Sequence, residues 1–237
     1  MSGPGGPPHR TTRPGAGGAL RTDTERTDAE RTDATSVRPG GAGEVVPGVA
    51  PFAAAVLCGG ASRRMGRDKA LVEVGGRPFA VRVADALRRA GATEVVAVGG
   101  DRAALTALGL PFVPDESPGL GPVGGIVSAL RRAVGDLVLV VGCDLVDPSP
   151  RAMAATVRAL AADATADLAV PLLDGERQWV HAAWRRSCLP ALGRQLQGGV
   201  RAVHRAVAGA GLAVVDVVGI APGALADADT PDDLPPG

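Results

Sequence analysis

Short apolar runs alternate with longer amphipathic segments from Phe52 to the C-terminal part of the chain. A continuous apolar run bounded by turn residues predicts a strand that is buried on both faces, and apolar residues three and four positions apart predict a helix. This pattern predicts strands over residues 53–57, 94–98, 111–113, 137–141, 168–172, 178–184 and 212–218. It predicts helices over residues 78–90, 102–108, 123–134, 151–162, 189–196 and 200–210.

The alternation of strands and helices predicts an α/β fold. We expect a single domain with a mostly parallel, doubly wound (Rossmann-like) sheet and helices on both faces. In such sheets, ligands bind beyond the carboxyl ends of the strands. The residues that follow each predicted strand are therefore the candidates for a functional site.

Residues 1–50 differ in composition from the rest of the chain and are rich in glycine, proline, threonine and arginine. They contain three Arg-Thr-Asp triplets, which begin at Arg21, Arg26 and Arg31. A charge-balanced segment with few large apolar residues buries too little surface to offset its chain entropy. We expect residues 1–50 to form a disordered tail and residues 51–237 to form the domain. A solvated extension, a misassigned start codon and a docking role remain open for the tail.

Composition narrows the classes of function. The chain has 25 basic and 25 acidic residues, so its charge gives no reason to expect a nucleic acid or an anionic membrane as partner. No apolar run approaches the ~18 to 20 residues that cross a bilayer, and the N-terminus lacks the apolar stretch of a secretory signal. The cysteines Cys58, Cys143 and Cys188 are odd in number and lack CxxC spacing, which favours the reducing cytoplasm.

The loop after the first strand is rich in glycine and in positive charge. The paired glycines Gly59 and Gly60 allow backbone N–H groups to approach an anion, and Arg63 and Lys69 add cationic donors. Lys69 is the only lysine in a chain that otherwise uses arginine, which suggests a site that needs a compact ammonium group. Neither GxGxxG nor GxxxxGK[ST] occurs here. The two interpretations are a triphosphate-binding loop and an ordinary glycine turn with solvated arginines.

Carboxylates follow other predicted strands. Asp144 comes after the apolar strand 137–141, where a carboxylate is costly unless it is solvated, paired or bound to a metal. Mg²⁺ is commonly held by one or two carboxylates together with substrate phosphates. Asp227 or Asp229 would provide the second carboxylate of such a site, and we assign Asp229 to the metal together with Asp144. Capping of a helix or turn is the alternative role for all three aspartates.

A second glycine-rich loop follows the strand at residues 111–113. It begins with Asp115 and continues through Gly121 into the helix predicted at residues 123–134. The N-terminal amides of a helix can hold an anion or the edge of a base. The alternative is a flexible connection that needs positive φ angles.

Together these motifs resemble those of molybdenum cofactor guanylyltransferases and their nucleotidyltransferase relatives. The family signature LAGGxSxRMGxDK corresponds to Leu57-Cys58-Gly59-Gly60-Ala61-Ser62-Arg63-Arg64-Met65-Gly66-Arg67-Asp68-Lys69. The family's D…PGxGPLxGI loop corresponds to residues 115–126, its (P/G)CD metal motif to Gly142-Cys143-Asp144, and its NxNTPEEL ending to residues 227–234. The resemblance covers about residues 53–234.

The resemblance implies a nucleotidyltransferase fold and a set of roles. It implies that the backbone of Leu57, Cys58, Gly59 and Gly60 and the side chain of Lys69 bind the nucleotide. It implies that Asp115 and the loop at Gly121 lie near the nucleotide, and that Asp144 binds Mg²⁺. The reaction that it implies joins GMP from GTP to molybdopterin-bound molybdenum and releases pyrophosphate. Its partners are GTP, a phosphorylated pterin and, as a further possibility, a molybdoenzyme or another protein of the cofactor pathway.

Departures from the family pattern keep other substrates open. Gly99 stands where guanylyltransferases often have asparagine, and Asp227 and Asp229 replace two asparagines, in a chain that contains no asparagine. The cytidylyltransferase relatives favour a DxDTP ending, so CTP and other small phosphorylated acceptors are alternatives. A hypothesis of another class is a non-catalytic adaptor that binds nucleotide and delivers the cofactor to a partner enzyme.

The predicted reaction is in-line attack of an acceptor phosphate oxygen on the α-phosphorus of the nucleotide. Asp144 would hold the metal, and Lys69 with Arg63 would stabilise charge on the leaving pyrophosphate. Two further hypotheses concern the surroundings. Cys58 and Cys143 would border the nucleotide or act as apolar filler. His181, which lies between Trp179 and Trp184, would cover a flat pterin or belong to a half-buried strand.

Overall fold

A central sheet organises the computed structural model, which describes Gly3 and residues 45–59 and 68–228. Residues 45–59 and 68–228 lie within one compact unit. No helix in the described part of the chain is long and apolar enough to cross a membrane.

The elements follow the predicted alternation closely. The strands are β1 Ala53–Leu57, β2 Glu73–Val74, β3 Arg77–Pro78, β4 Glu94–Val98, β5 Phe112–Val113, β6 Leu137–Gly142, β7 Leu168–Leu173, β8 Glu176–Arg177, β9 Ala183–Arg185 and β10 Val214–Val217. The α-helices are α1 Phe79–Arg89, α2 Arg102–Ala107, α3 Pro122–Arg132, α4 Pro150–Ala162, α5 Leu189–Gln197 and α6 Val203–Ala210. Short 3₁₀ turns lie at Lys69–Leu71, Arg186–Cys188 and Pro222–Leu225.

The main sheet has the strand order β10-β7-β9-β6-β1-β4-β5, and β8 pairs with β7. β1 is parallel to both of its neighbours, β4 and β6, and β10 is parallel to β7. β9 is the exception within this order, because it runs antiparallel to both β6 and β7. The prediction of a mostly parallel α/β sheet is confirmed.

Apolar residues on both faces of the sheet explain why β1 is continuously apolar. Ala54 and Val56 point into one core with residues of α1 and α4, such as Leu87 and Val157. The alternate residues of β1 point into a second core with α3, α5 and α6. This period of two is the geometry of a strand, and it requires apolar residues at every position when helices cover both faces.

The segment 178–184 differs from its prediction as one continuous strand. Only Ala183–Arg185 forms a strand, and the residues before it form a turn in which the His181 N–H donates to the Gln178 carbonyl at 3.0 Å. The imidazole of His181 is buried and contacts the last residue of β6 and the C-terminal segment. The hairpin β2–β3, which the pattern analysis missed, turns at Gly75 and Gly76, both with positive φ.

Residues 45–50, assigned to the tail by composition, pack against the domain. Val46 donates its N–H to the carbonyl of Arg89 at 2.8 Å, and Arg158 donates to the carbonyl of Pro47 at 2.5 Å. Val46, Val49 and Ala50 contact the core on the α1 and α4 side. Packing therefore begins at least six residues earlier than predicted. Gly3 apart, the prediction of a disordered tail for residues 1–44 lies outside the described residues.

Candidate active site

The carboxyl ends of β1, β4 and β6 meet at one edge of the sheet. The N–H groups of Cys58 and Gly59 both donate to the Val98 carbonyl, at 2.9 and 3.2 Å. The N–H of Cys143 donates to the Leu57 carbonyl at 3.2 Å. The backbone after β1 is thus held between its two neighbours as it leaves the sheet, with Leu57 and Cys58 buried and Gly59 exposed.

Lys69 and Asp144 form an ion pair at this edge. The Lys69 Nζ atom lies 2.9 Å from Oδ2 of Asp144, and their side chains are 17% and 23% exposed. Lys69 begins a 3₁₀ turn that is capped by the carboxylate of Asp68, which accepts from the Ala70 N–H at 3.0 Å. The turn directs the lysine toward β6, so the structure brings together the cation and the carboxylate that the sequence singled out.

Three predicted site residues lie outside the described residues. They are Gly60 and Arg63, in the loop after β1, and Asp229, near the C-terminus. Their assigned roles remain predictions.

Asp115 lies beside Gly59, at a point where the backbones of Gly59 and Gly99 approach each other closely. Gly99, which follows β4, has a φ of 71°, and a Cβ at this position would lie 3.0 Å from the Cα of Gly59. A Cβ on Gly59 would in turn lie 3.9 Å from Oδ2 of Asp115. The other oxygen of Asp115 accepts from the Ser117 N–H at 2.9 Å, which fixes the carboxylate. Gly99 therefore permits a close backbone contact with Gly59, a structural role that the comparison with the family motif did not reveal.

Gly121 is the residue before α3 and has a φ of 71°. A Cβ there would lie 3.1 Å from the carbonyl oxygen of Arg201, so the loop packs closely on the segment before α6. One turn later, a Cβ on Gly124 would lie 3.2 Å from Oδ1 of Asp115. The start of α3 is thus next to Asp115, and the role of this loop in nucleotide binding remains a prediction. Arg201 was not predicted, since nothing in its local sequence distinguishes it from other surface arginines.

The C-terminal segment reaches the same edge. Leu145 and Asp227 form an antiparallel bridge, and the Ala228 N–H donates to the Asp144 carbonyl at 2.9 Å. Asp227 and Asp229 are the two predicted alternatives for a second carboxylate, and Asp229 is the one assigned to the metal site. Of the two, Asp227 is within the described residues, and its backbone lies alongside the Asp144 loop.

His181 contacts this segment and not an exposed aromatic surface. It is 3% exposed, its Nδ1 lies 3.4 Å from the Gly142 nitrogen, and its Nε2 lies 3.2 Å from Oδ1 of Asp227. Trp184 is fully buried in the core, while Trp179 is partly buried with Arg177 over its ring. The hypothesis that His181 and both tryptophans cover a pterin is therefore wrong. Trp184 has no exposed face to offer, and His181 is almost wholly enclosed.

The cysteines are buried thiols. Cys58 and Cys143 follow β1 and β6 at neighbouring positions, and a hydrogen bond between their side chains, together with burial, raises the pKa of Cys143. Burial raises the pKa of Cys188, in the opposite core, to about 12. All three are free of disulfides, and the hydrogen-bonded thiols of Cys58 and Cys143 pack beneath the edge that carries Lys69 and Asp144.

The residues at this edge fit Mg²⁺. The carboxylate of Asp144 and the nearby Asp227 provide hard oxygen ligands, which Mg²⁺ prefers. No group of three or more His, Cys, Asp or Glu side chains within residues 45–59 and 68–228 is arranged as a metal cage. One or two carboxylates completed by substrate phosphates is the arrangement that these residues allow.

A mostly parallel α/β sheet with a lysine and a carboxylate paired at its carboxyl edge is an arrangement that suits a nucleotidyltransferase enzyme, and the family match identifies the chain as one. A family model described as the MobA-like NTP transferase domain matches residues 54–211. The chain belongs to this family.

Curated relatives share this similarity over much of the chain. The molybdenum cofactor guanylyltransferase of Rhodobacter capsulatus is 34% identical over 187 residues, which cover 77% of this chain and 93% of that protein. The probable molybdenum cofactor guanylyltransferase of Pelotomaculum thermopropionicum is 37% identical over 143 residues, which cover 60% of this chain and 67% of that protein. Matches to other curated guanylyltransferases span 41% to 62% of their length.

A solved structure supports the fold. The crystal structure of molybdopterin-guanine dinucleotide biosynthesis protein A from Archaeoglobus fulgidus superposes with a TM-score of 0.60 at 23% identity. The superposition covers 76% of this chain and 93% of that chain.

Proposed function

We propose that the protein is a molybdenum cofactor guanylyltransferase, which transfers GMP from GTP to a molybdopterin-type cofactor and releases pyrophosphate. The observation that carries this proposal is the Lys69–Asp144 ion pair at the carboxyl edge of the sheet, between the 3₁₀ turn at Lys69 and the end of β6. Phosphoryl transfer of this kind needs positioning and charge neutralisation more than a covalent nucleophile. A lysine and a metal-binding carboxylate at one strand edge provide both.

In the proposed reaction, a phosphate oxygen of the acceptor forms a bond to the α-phosphorus of GTP. The bond from that phosphorus to the β-phosphate bridging oxygen breaks, and pyrophosphate leaves with the electron pair. The loop after β1 would lie along the phosphates, although the N–H groups of Cys58 and Gly59 at its start donate to the Val98 carbonyl. Lys69 and Arg63 would stabilise the charge that grows on the leaving group. Mg²⁺ held by Asp144 would supply Lewis-acid polarisation of the α-phosphate.

A cytidylyltransferase is the second candidate, and Gly99 is the observation that favours it. Gly99 provides no side-chain amide beside Asp115, where guanylyltransferases often have asparagine. The carboxylate of Asp115 can accept a hydrogen bond from the amino group of either guanine or cytosine, so it does not separate the two bases.

The decisive experiment incubates the full chain with Mg²⁺, molybdopterin-type acceptor and GTP, CTP, ATP or UTP in turn. Pyrophosphate and the dinucleotide product are measured. We expect GTP to give the largest kcat/KM. Preference for CTP would replace the guanylyl assignment with the cytidylyl one. Tight binding of Mg-nucleotide without turnover for any of the four would favour a non-catalytic delivery adaptor.

The proposal extends to setting and partners. Three free thiols are stable in a reducing cytoplasm, where we place the protein. The product is a cofactor, so a molybdoenzyme or another protein of the cofactor pathway is the expected recipient.

A further inference from the structure

His181 differs from the other buried polar side chains in the described part of the chain, which are Ser128 and Thr156. Ser128 and Thr156 each donate to the carbonyl four residues earlier in their own helix, at 3.0 Å, so local backbone satisfies them. His181 lies in the turn before β9, and its two ring nitrogens contact two separate segments. A buried imidazole that joins distant parts of the chain at the edge of a candidate site has a role beyond packing.

The hydrogen bonds assign the protons on this ring. The Gly142 backbone N–H can only donate, so Nδ1 of His181 accepts. In the neutral imidazole the proton then lies on Nε2, which donates to Oδ1 of Asp227 at 3.2 Å. The ring therefore connects the last residue of β6 to the carboxylate of the C-terminal segment.

The same point on β6 also touches Asp144. A Cβ placed on Gly142 would lie 2.9 Å from Oδ1 of Asp144 and 3.3 Å from Cε1 of His181. The imidazole and the Asp144 carboxylate thus flank one glycine, which has no side chain to separate them. The Asp227 side chain is 38% exposed, whereas its hydrogen-bond donor is almost fully buried. A fixed donor therefore restricts a carboxylate that would otherwise rotate in solvent.

We propose that His181 is a positioning residue that orients the carboxylate of Asp227 toward the metal held by Asp144. This inference rests on the proposed function, because it concerns the metal of that reaction. A partner that orients a metal-binding carboxylate typically changes metal affinity by about 10- to 100-fold. His181 itself does not touch the nucleotide or the metal in this arrangement. Its effect passes through Asp227.

Two conservative variants separate the two hydrogen bonds of the ring. In His181→Gln, the side-chain amide nitrogen lies close to the position of Nε2 and retains the donor to Asp227. In His181→Asn, the shorter amide lies close to the position of Nδ1 and retains the acceptor for Gly142 but loses Asp227. The two variants are similar in polarity, so a purely structural role predicts similar behaviour for both.

The test measures Mn²⁺ binding to the full chain by electron paramagnetic resonance, with GTP present, and the Mg²⁺ dependence of turnover. For His181→Asn we expect a Kd for Mn²⁺ about 10-fold or more above that of the parent, with kcat recovered at high Mg²⁺. For His181→Gln we expect a Kd within about threefold of the parent, on the same scale of effects. Asp227→Ala combined with His181→Asn should weaken binding no further than Asp227→Ala alone.

Equal Kd values for His181→Asn and His181→Gln, whether both normal or both weakened, would overturn the positioning role. The variant Asp144→Asn tests the underlying site separately. If Asp144→Asn binds Mn²⁺ as tightly as the parent, the proposed metal site itself fails. If Asp144→Asn loses Mn²⁺ while His181→Asn retains it, only the inference about His181 fails.

Discussion

The Nζ atom of Lys69 lies 2.9 Å from Oδ2 of Asp144, although 75 positions separate the two residues in the sequence. Asp144 follows β6, and the 3₁₀ turn that begins at Lys69 lies beside it at the carboxyl edge of the sheet. Both side chains are mostly buried, so solvent screens their interaction less than that of a surface pair. A cation and a carboxylate are therefore held in one small region where a triphosphate and its metal would meet.

Replacement of either member of this pair should abolish most of the activity while the fold is retained. For Lys69→Ala and Asp144→Ala we expect kcat to fall by about 10² to 10³, the usual effect of losing one preorganised charged group. Steady-state pyrophosphate release measures the change, and circular dichroism verifies folding. The control is Arg132→Ala, which removes an exposed ion pair with Glu94 and should leave kcat unchanged. Turnover near the parent value in Lys69→Ala or Asp144→Ala would refute the assigned roles.

Gly99→Ala should weaken nucleotide binding more than a matched glycine substitution. Its φ of 71° disfavours any side chain, and the new Cβ would press on Gly59 at 3.0 Å. Gly109 has a φ of 74° with nothing within 4 Å, so Gly109→Ala introduces the same kind of backbone strain without the contact. We expect KM for the nucleotide to rise about 10-fold in Gly99→Ala only, in line with about 1.4 kcal/mol of lost binding. Equal KM values in the two variants would show that the Gly59–Gly99 approach does not shape the binding site.

Arg185→Lys should destabilise the fold without affecting the site directly. The guanidinium donates to the carbonyls of Leu160, Asp163 and Ala166, which closes the end of α4. Helix C-termini leave carbonyls without intrahelical partners, and an ammonium group cannot reach three of them at once. We expect a loss of about 2 kcal/mol in the free energy of unfolding, measured by urea denaturation. The control is Arg132→Lys, at the exposed ion pair with Glu94, which should change the free energy of unfolding by less than about 1 kcal/mol. A similar loss in both variants would contradict the role of Arg185 in capping α4.

The free energy of unfolding should decrease at alkaline pH, and the thiol of Cys188 should account for part of that decrease. The pKa of this thiol is about 12 in the folded protein, against an ordinary value of 9.0. Between these values the unfolded chain has lost the proton and the folded chain retains it, so the free energy of unfolding decreases as pH rises. Chemical denaturation of the parent and of Cys188→Ala across this range measures the difference. We expect a shallower decline in Cys188→Ala, and parallel curves would show that the buried thiol does not contribute.

The sequence was sufficient to predict much of the sheet and the position of Lys69 relative to Asp144. Continuous apolar runs such as residues 137–141 indicate buried strands, and parallel strands place the residues after them at one edge of the sheet. The rule that site residues follow the strands did not apply to His181, because β9 is antiparallel to its neighbours. Its beginning lies beside the end of β6, so the turn before β9, and not the residues after it, reaches the site. No local pattern indicates the direction of a three-residue strand.

The contact between His181 and Asp227 could not be predicted from the sequence either. The bridge between Leu145 and Asp227 joins segments 82 positions apart through backbone hydrogen bonds, which side-chain patterns do not encode. The close approach of Gly59 and Gly99 could not be predicted from the sequence either. Glycines after two strands indicate a backbone that can adopt unusual φ angles, but only the pairing of β1 with β4 places the two residues against each other.

The pairing of Asp227 with Leu145 has a consequence for biosynthesis. A nascent chain that has emerged only as far as Val217 contains every strand of the sheet, yet it lacks the residues that flank Asp144 on one side. Ribosome-bound intermediates should accordingly acquire a protease-resistant core before they acquire metal affinity.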